Sequence, residues 1–522
     1  MLIRRRVPGI LAVLAGLLSL TLASSTIALA ATAAPAGIGT RSTADGPVAK
    51  ADRVTLLGYA RTTWASFVAM TDPASGLPAD GLSADGTTSV QTSVTNIGAY
   101  MWSTLVADSL GIIRHADAVH RLDVTLHSLE TMERHEPDGQ YYNWYDHVTG
   151  AKLTIWPPTG APIGDHGPIL SSVDNGWLAA ALHMVATSVP EVSTRAGAIY
   201  ASMDFGYYYR PNVNRIAFHV APDDGFSPCC YDTIVSESRI ASYIGIAKGE
   251  LPAKEYFGAW RTFPATCDWS WQETQPVGVT RQYLGVNVFE GAYRYDGMRI
   301  VPGWGGSMFE ALMPALFVPE EKWAPNSWGL NHPLTVAAQI HHGLDEAQYG
   351  YWGFSPANIP EGGYATYGVD AIGMNPEGYA SNEDNTLADN GFGDCPGRPA
   401  KPAPPASAYT NGVVTPHAAF LALRWAPNAA MTDLGKLARD FPGMYGAWGF
   451  RDTVNVGTGT VSDGYLSLDQ GIVMAAIGNA LNHDMLRKAF ATPDVQAALE
   501  PVISIENFGA GPRSRSTNVD RP

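Results

Sequence analysis

Apolar side chains recur every three or four residues over much of the chain, which is the spacing of one face of an α-helix. The pattern is clearest from Val94 to Leu105, from Leu178 to Val185, from Ile240 to Ala247 and from Ile472 to Leu481. The chain is therefore predicted to be mainly α-helical. Further helices are predicted over residues 52–69, 115–134, 191–203, 308–316, 333–344, 416–424 and 430–440.

Strand signals are few and short, at residues 214–220 and 283–290. Long segments rich in Gly, Pro, Trp and Tyr separate the helices, at residues 137–172, 262–306 and 345–412. Loops of this length in a compact domain are usually functional. The pattern predicts an all-α fold of the toroid type, in which two concentric rings of helices close around a cleft lined by aromatic-rich loops, with a few short strands.

The N-terminus has the features of a secretory signal peptide. Arg4–Arg6 precede an apolar stretch over residues 8–22, and Ala28–Ala30 form a small-residue cleavage site. The apolar stretch is shorter than the ~18 residues that a membrane helix needs. Residues 1–30 are therefore predicted to be removed and the protein to be secreted.

The remaining chain is predicted to form one domain over residues 51–505. Residues 31–50 are rich in Ala, Gly, Thr and Ser, which is typical of a flexible leader, and residues 506–522 are predicted to be a flexible tail. The best candidate for an internal linker, residues 396–405, joins segments that we assign to the same fold.

The charge balance limits the partners. The formal net charge is −16, and an acidic surface argues against nucleic acid and anionic membranes as partners. It is compatible with a neutral substrate, and we expect a soluble monomer.

The cysteines and histidines do not predict a metal or cofactor site. Cys229, Cys230, Cys267 and Cys395 allow one or two disulfides in an oxidising compartment, with three full pairings open. Adjacent Cys229 and Cys230 match no usual zinc spacing, and no Gly-rich phosphate loop or nucleophile elbow occurs. No metal and no cofactor are expected, although Asp- and Asn-rich residues 381–394 leave a Ca²⁺ loop open beside an ordinary solvated loop.

Four loop clusters combine Trp or Tyr with polar residues and Gly, at residues 141–146, 269–271, 303–306 and 349–353. Flat aromatic faces stack on sugar rings, and the alternative is that these rings belong to the core. Their place beside glycines in polar loops favours the sugar-binding interpretation. The residues expected to contact a substrate are Trp144, Tyr145, Trp177, Arg239, Trp304, Glu310, Tyr351 and Trp352.

Two acidic residues at predicted helix starts are the leading catalytic candidates. Asp174 precedes an apolar helix, where capping of the helix is the alternative role. Glu237 lies in the first turn of another apolar helix, where a pair with Arg239 is the alternative. A partly desolvated glutamic acid at that place would have a raised pKa, which suits a general acid.

Three more carboxylates are weaker candidates. Glu310 begins a further apolar helix, while Glu361 and Asp370 lie in the long loop after Trp352, where most carboxylates are only solvated. Glycoside hydrolysis uses two carboxyl groups, about 5–5.5 Å apart for retention of the anomeric configuration and about 6.5–9.5 Å apart for inversion.

Several short motifs follow one another in a recognisable order between Thr63 and Leu499. They are TSVTNIG at 92–98, YNWYD at 142–146, SVDNGWL at 172–178, SESRIAS at 236–242, IAKG at 246–249, WGGSMFE at 304–310, LMP at 312–314, VTP at 414–416 and LDQG at 468–471. In this order they resemble the glycoamylase-like domain found in bacterial endo-β-1,2-glucanases and in cyclic β-1,2-glucan synthases.

The resemblance implies an (α/α)6 toroid and activity on β-glucans. It aligns Glu237 with the general acid of the family and Asp174 with an acidic residue important in the glucanase branch. In the synthase branch a motif similar to residues 352–357 carries a nucleophilic glutamate, but Pro356 stands at that position here. Retention through that position is excluded, so inversion is expected. The contenders for the base are Asp174, Glu361 and Asp370.

The leading hypothesis is therefore a secreted glycoside hydrolase, endo-acting on β-1,2-glucan or a related neutral β-glucan. One alternative is a hydrolase or transglycosylase of another glycan, such as a cell-wall polysaccharide. A second alternative is a carbohydrate-binding protein without catalysis, which the absence of a glutamate at Pro356 motivates.

Overall fold

Helices carry most of the described chain, as the apolar spacing predicts. The computed structural model describes residues 49–157, 159–263, 275–374, 397, 402 and 404–512. The helices are α1 (Lys50–Met70), α2 (Val94–Ser109), α3 (His115–Thr131), α4 (Ser172–Ser188), α5 (Ser193–Ser202), α6 (Arg239–Ala247), α7 (Met308–Leu312), α8 (Glu320–Trp323), α9 (Trp328–His341), α10 (Pro416–Leu421), α11 (Pro427–Asp440), α12 (Ser467–Leu481), α13 (Met485–Phe490) and α14 (Pro493–Ile503).

The helices predicted from sequence are confirmed, with shifted ends. The helix predicted over 308–316 is divided: α7 ends at Leu312, Met313 keeps helical backbone angles, and a short 3₁₀ turn begins at Pro314, which has no N–H to donate. Helices α13 and α14 were not predicted. No helix among the described residues has the length and apolar character needed to cross a membrane.

Three helices form the centre of the core. In α2, α4 and α12 nearly every residue is buried, so these helices present no polar face to water. Helix α3 instead buries a single stripe, as a helix on the outside of a core does. Helix α2 packs against α4 and α12, α4 also packs against α6, and α10 packs against both α12 and α7.

Glycines allow these helices to approach closely. A Cβ atom at Gly176 of α4 would lie 3.0 Å from backbone atoms of Ala241 in α6. A Cβ atom at Gly471 of α12 would lie 2.7 Å from the Cβ of Ala99 in α2. A larger side chain at either position would have to separate two packed helices.

The strands are short and mostly pair locally. They are β1 (Gly81–Ser83), β2 (Gln91–Ser93), β3 (Arg134–His135), β4 (Gln140–Tyr141), β5 (Trp144–Asp146), β6 (Leu170–Ser171), β7 (Tyr209–Arg210), β8 (Arg215–Ile216), β9 (His219–Val220), β10 (Val277–Tyr283), β11 (Val286–Tyr295), β12 (Met298–Ile300), β13 (Gly303–Trp304), β14 (Ala357–Asn358), β15 (Tyr364–Ala365), β16 (Gly373–Met374), β17 (Val413–Val414), β18 (Tyr445–Gly446), β19 (Gly449–Phe450), β20 (Val454–Asn455), β21 (Thr460–Val461) and β22 (Gly464–Leu466).

One predicted loop is an antiparallel sheet. Residues 262–306 were expected to be irregular apart from one strand at 283–290, but β10, β11 and β12 pair there in sequence order. The predicted single strand spans a hairpin turn, in which Leu284 and Gly285 both have positive φ. A two-residue hairpin turn of this kind usually carries Asn-Gly or Gly-Gly. Leucine at the first position is not typical of such a turn, so the sequence does not predict the hairpin.

The packed fold extends beyond residue 505. Glu506 is fully buried and accepts a hydrogen bond from Arg261 Nε at 2.6 Å, and the N–H of Arg299 donates to the carbonyl of Gly511. Cys229 and Cys230 form a vicinal pair. Cys267, Cys395, the Trp269–Trp271 cluster, residues 381–394 and the signal peptide lie outside the described residues.

Candidate functional site

The first turns of buried helices bring the acidic candidates together. Ser171 and Ser307 cap α4 and α7, and their Oγ atoms accept hydrogen bonds from the N–H groups of Asp174 and Glu310. An acidic residue three positions after a serine cap is a usual helix-start arrangement. It also aims the carboxyl group back toward the helix end.

Glu237 lies immediately before α6 and keeps partial contact with solvent, while Ser236 and Ser238 on either side are buried. Its Oε2 accepts a hydrogen bond from Trp177 Nε1 at 2.5 Å. Its backbone N–H donates to Glu310 Oε2 at 2.7 Å. The carboxyl group is thus held on one side by the indole of α4 and faces a second carboxyl group from α7.

The surroundings favour the protonated form of Glu237. Burial is the largest cause that raises its pKa well above the ordinary value, and the negative charges of Glu310 and then Asp174 add to it. The Trp177 hydrogen bond opposes this shift. Burial also raises the pKa of Glu310, while the Glu237 N–H opposes it. Burial and the neighbouring charge thus favour protonation within this pair.

Asp174 has a richer set of hydrogen-bond donors. Its Oδ1 accepts from Thr95 Oγ1 at 2.5 Å. The amide nitrogen of Asn143 donates to Oδ2 at 2.9 Å, while the amide oxygen accepts from Trp144 Nε1 at 3.1 Å. Burial raises the pKa of Asp174 above its ordinary value, and the hydroxyl groups of Ser171 and Thr95 oppose only part of this rise. The position at the start of α4 also favours a negative charge.

The structure adds Asp80 and Asp469, which we did not predict as site residues. Asp80 Oδ1 accepts from Asn96 Nδ2 at 2.7 Å, and burial followed by the charge of Asp174 raises the pKa of Asp80. Burial, and after it the charge of Asp80, raises the pKa of Asp469 in α12. A row of carboxyl groups therefore runs from Glu237 through Asp174 and Asp80 to Asp469.

Arg239 does not contact the open side of the site. Its guanidinium is buried, and all its N–H groups meet acceptors inside the protein. It donates to both carboxylate oxygens of Glu320, at 2.6 and 3.1 Å. It also donates to the carbonyls of Ser236, Glu310 and Ala311. The expected substrate contact is corrected: Arg239 ties the start of α6 to α7 and so positions Glu237 and Glu310.

The predicted aromatic contacts divide into two groups. Tyr145, Trp177 and Trp352 are almost fully buried, so they belong to the core, and the sugar-stacking interpretation is corrected for them. Trp144, Trp304 and Tyr351 are partly exposed. These three therefore remain available for a ligand. Glu310 is buried against Glu237, so its carboxyl group is not an open contact for a sugar.

The exposed rings are held by other aromatics. The Trp144 ring lies 5.1 Å from that of Trp156, measured between centroids. The Trp304 ring stacks on Phe218 at 5.7 Å. Each ring is thus fixed on one side and partly open on the other, as a stacking platform requires.

The loop carboxylates differ in position. Glu361 is exposed at the tip of the β14–β15 hairpin. Asp370 is half-buried, and the adjacent Val369 N–H donates to the carbonyl of Gly306, which precedes α7. Asp370 therefore lies beside the loop that leads to Glu310, while Glu361 lies on the outside.

Pro356 occupies a buried segment beside α7. Its neighbour Ser355 accepts a hydrogen bond from the N–H of Phe309 at 3.1 Å. The segment thus runs next to the helix that carries Glu310, and it presents no carboxyl group there.

The chain is similar to known proteins over most of its length. The Glycoamylase family model matches residues 235–493, and a second model, for a family described as of unknown function, matches residues 58–211. The cyclic β-(1,2)-glucan synthase NdvB of Rhizobium meliloti is 26% identical over 321 residues, which are 58% of this chain and 9% of the synthase.

A second curated relative is the exo β-1,2-glucooligosaccharide sophorohydrolase (non-reducing end) of Parabacteroides distasonis. It is 26% identical over 147 residues, 28% of this chain and 18% of that protein. The chain thus matches less than a fifth of either relative.

Among solved structures, the endo-β-1,2-glucanase of Chitinophaga pinensis, determined with sophorotriose and glucose, superposes with a TM-score of 0.60 at 18% identity. The match covers 87% of this chain and 98% of that one. At this identity the likeness establishes the fold. The family model and the synthase similarity confirm the resemblance seen in the motifs: residues 235–493 match the Glycoamylase family, and the chain is similar to a cyclic β-(1,2)-glucan synthase.

Proposed function

We propose that the chain is a secreted, inverting glycoside hydrolase that cleaves β-1,2-glucan internally, with Glu237 as the general acid and Asp174 as the general base. The proposed substrate rests on the activities for which the similar proteins are named, a sophorohydrolase and an endo-β-1,2-glucanase among them. The proposed chemistry rests on the site itself.

One observation carries the proposal: a partly open glutamic acid whose surroundings raise its pKa. Because Oε2 accepts the Trp177 N–H, the proton belongs on Oε1, the oxygen free to reach a substrate. Protonation of the glycosidic oxygen by Oε1 would make the sugar a better leaving group as the bond breaks. Arg239 holds the backbone of this segment in place.

The base must be ionised when the acid is protonated. Thr95 and Asn143 donate to both oxygens of Asp174, and hydrogen bonds to the charged form of a carboxyl group favour it. In an inverting reaction this carboxylate would accept a proton from the attacking water. Pro356 supports inversion, because it removes the nucleophile that its position carries in the synthase branch.

We also propose that α2, α4, α6, α7, α10 and α12 form the inner ring of an (α/α)6 toroid. Contacts link α6 to α4, α4 to α2, α2 to α12, α12 to α10 and α10 to α7. The hydrogen bonds from Arg239 to carbonyls of α7 would close the ring. Three carboxyl groups of the acidic row described above, those of Glu237, Asp174 and Asp469, lie at the starts of α6, α4 and α12. Carboxyl groups at these helix starts would line a cleft at one end of the ring.

The first test is hydrolysis of linear β-1,2-glucan by the purified chain and by Glu237→Gln. Glutamine keeps the size of the side chain and can still accept the Trp177 hydrogen bond, so we expect an unchanged circular dichroism spectrum. Loss of a general acid lowers kcat by about 10²–10⁴-fold. Glu361→Gln is the matched control and should keep wild-type kcat, because Glu361 is exposed and outside the site.

Three outcomes would contradict the proposal. Wild-type kcat in Glu237→Gln would remove this residue from the acid role. Cleavage of bacterial wall polysaccharide without cleavage of β-1,2-glucan would reject the substrate, and binding without cleavage of either would favour a carbohydrate-binding protein.

The stereochemistry has its own test. Proton NMR during early hydrolysis should show the α-anomer of the new reducing end, because inversion of a β-linkage produces it. Asp174→Asn should abolish this reaction. A β-anomer as first product would refute inversion.

Secretion is tested by expressing the full chain in a bacterial host and sequencing the N-terminus of the protein recovered from the medium. We expect it to begin at Ala31. A product that stays in the cells with its N-terminus intact would contradict the proposal.

A further inference from the structure

Three polar side chains from separate parts of the chain meet beyond the end of the acidic row. His417 belongs to α10, Asp452 to the segment between β19 and β20, and Asp469 to the first turn of α12. One ligand atom from each lies within 4.8 Å of the other two. All three are buried, with 2%, 2% and 5% of their surface exposed.

Each of these side chains has a buried atom that makes no hydrogen bond outside the cluster, although Asp469 Oδ2 lies 3.4 Å from His417 Nδ1. Among the described residues, His417 Nε2, Asp452 Oδ1 and Asp469 Oδ2 accept or donate no hydrogen bond. A buried polar atom without a partner costs about 1–3 kcal/mol, more when it is charged. Three such atoms in one place therefore indicate a missing ligand rather than three separate defects.

The site has space for a small ligand. A cavity of about 10 Å³ is lined by His417, Asp452, Asp469 and their neighbours. This volume corresponds to about one water-sized sphere. An organic ligand does not fit, so the space suits a water molecule or a single ion.

The charges favour an ion. No lysine or arginine of the described residues forms an ion pair with Asp452 or Asp469, and the adjacent Arg451 points toward Asp463, 3.8 Å away. Two carboxylates buried without a cation are costly. His417 Nδ1 lies 2.8 Å from Thr415 Oγ1 and 3.4 Å from Asp469 Oδ2. When Nδ1 donates to that hydroxyl, Nε2 carries a bare lone pair, as in a metal-binding histidine.

We propose that His417, Asp452 and Asp469 bind a single divalent cation of the Zn²⁺ or Mn²⁺ type. One imidazole nitrogen with two carboxylate oxygens is a ligand set for such ions, whereas Mg²⁺ and Ca²⁺ prefer oxygen ligands alone. The sequence did not reveal this site, because its residues lie far apart in the chain.

The ion would act as a structural link. It would join α10, α12 and the segment of Asp452, whose Oδ2 accepts the N–H of Asn358 at 2.6 Å. Asn358 follows Pro356 in the buried segment beside α7, so the ion would hold this segment indirectly. The inference does not depend on the proposed substrate or reaction.

A shared proton is the competing explanation. The carboxyl groups of Asp452 and Asp469 are close enough to hydrogen-bond to each other when one of them is protonated. In that case the cluster would bind no metal, and added cations would not change the stability of the fold.

The experiment measures metal binding by the full chain directly. The protein is treated with a chelator, dialysed, and titrated with ZnCl₂ and with MnCl₂ by calorimetry, with MgCl₂ as a comparison. Metal content is then measured by mass spectrometry. We expect one tightly bound Zn²⁺ or Mn²⁺ per chain, a higher Tm with that ion, and at least tenfold weaker binding of Mg²⁺.

His417→Ala and Asp469→Asn should each weaken binding by about tenfold or more, since even the loss of groups behind the ligands costs about 10–100-fold. His183→Ala and Asp433→Asn are matched controls, since both residues are largely buried but lie outside the cluster. The controls should keep wild-type affinity. Absence of stoichiometric Zn²⁺ or Mn²⁺ binding by the wild-type chain overturns the proposal even if a variant fails to fold, and so does wild-type affinity in both cluster variants.

Discussion

Replacing Trp177 by phenylalanine should raise the pKa of Glu237. The Trp177 indole N–H donates to Glu237 Oε2 at 2.5 Å, and this bond lowers the pKa of the glutamic acid against the opposing effects of burial and of Glu310. A donor stabilises the ionised carboxylate more than the neutral acid. Its removal therefore disfavours ionisation, and Glu237 should stay protonated to a higher pH.

The size of the effect follows from the hydrogen bond. A bond to a charged group contributes about 1.5–3 kcal/mol when its partner is buried, and one pKa unit corresponds to about 1.36 kcal/mol. The full loss would raise the pKa by about 1–2 units. Because Glu237 is partly exposed, water can replace part of the lost bond, so we expect a shift near the lower end, about one unit.

The assay is the pH dependence of kcat/KM on β-1,2-glucan, because its basic limb reports the pKa of the essential acid in the free enzyme. In Trp177→Phe that limb should move to higher pH by about one unit. The variant should therefore lose less of its own maximal activity at alkaline pH than the wild type does. A direct check is the titration of the Glu237 carboxyl carbon by NMR.

Trp102→Phe is the matched control. Trp102 is also fully buried, its ring lies edge-on to Trp177 at 6.3 Å, and its Nε1 donates to the carbonyl of Gly471 instead of a carboxylate. It should lose stability to a similar extent while the basic limb stays in place. A basic limb that is unchanged or moves to lower pH in Trp177→Phe would refute the reasoning, and an equal upward shift in both variants would assign the effect to packing.

Three further predictions concern the scaffold. Arg239→Met removes the buried cation that pairs with Glu320 and leaves that carboxylate with Tyr243 and His332 as partners, so the free energy of unfolding in urea should fall by about 3–5 kcal/mol; a change below about 1 kcal/mol, the range of exposed pairs, would contradict this. Gly176→Ala places a Cβ atom 3.0 Å from the backbone of Ala241, and the unfolding free energy should fall by about 1–3 kcal/mol; an unchanged Tm would show that α4 and α6 separate freely. Burial raises the pKa of Asp433 to about 7, so the wild type should lose stability as pH rises toward and through that value, because the unfolded chain ionises more readily. Asp433→Asn should lack the part of this loss that comes from Asp433. If the free energies of unfolding of the two proteins changed in parallel with pH, Asp433 would make no such contribution.

The sequence predicts the helical architecture well, because several buried helices repeat the same local signals. Serine caps at Ser93, Ser171 and Ser307 precede apolar runs, and the structure begins α2, α4 and α7 there. The hairpin at Leu284 was missed, because its turn residue carries no turn signal. Burial of Tyr145 and Trp352 was also missed, because a motif does not reveal which face of a loop packs inward.

The acidic residues show how far the helix-start pattern reaches. Asp174, Glu310 and Asp469 all stand in the first turn of a nearly apolar helix, so the sequence marks them almost equally. Their surroundings differ. Asp174 accepts hydrogen bonds from Thr95 and Asn143, which favour its charged form. Glu310 instead lies beside Glu237, and Asp469 lies beside Asp452. In each of these two pairs the charge of one carboxyl group disfavours ionisation of the other.

This difference decides the roles that each carboxyl group can take. A carboxylate supplied with donors can stay ionised and accept a proton, and a carboxyl group beside another one keeps its proton or needs a cation. The supply of donors suits Asp174 to the proposed role of base. A neighbouring carboxyl group suits Glu237 to the proposed role of acid, and in the cluster around Asp469 it calls for a proton or a cation. All three depend on side chains contributed by other helices, such as Thr95 from α2 and His417 from α10. A local sequence pattern can therefore identify the carboxyl groups of this site, but only the packing of neighbouring helices assigns their protonation.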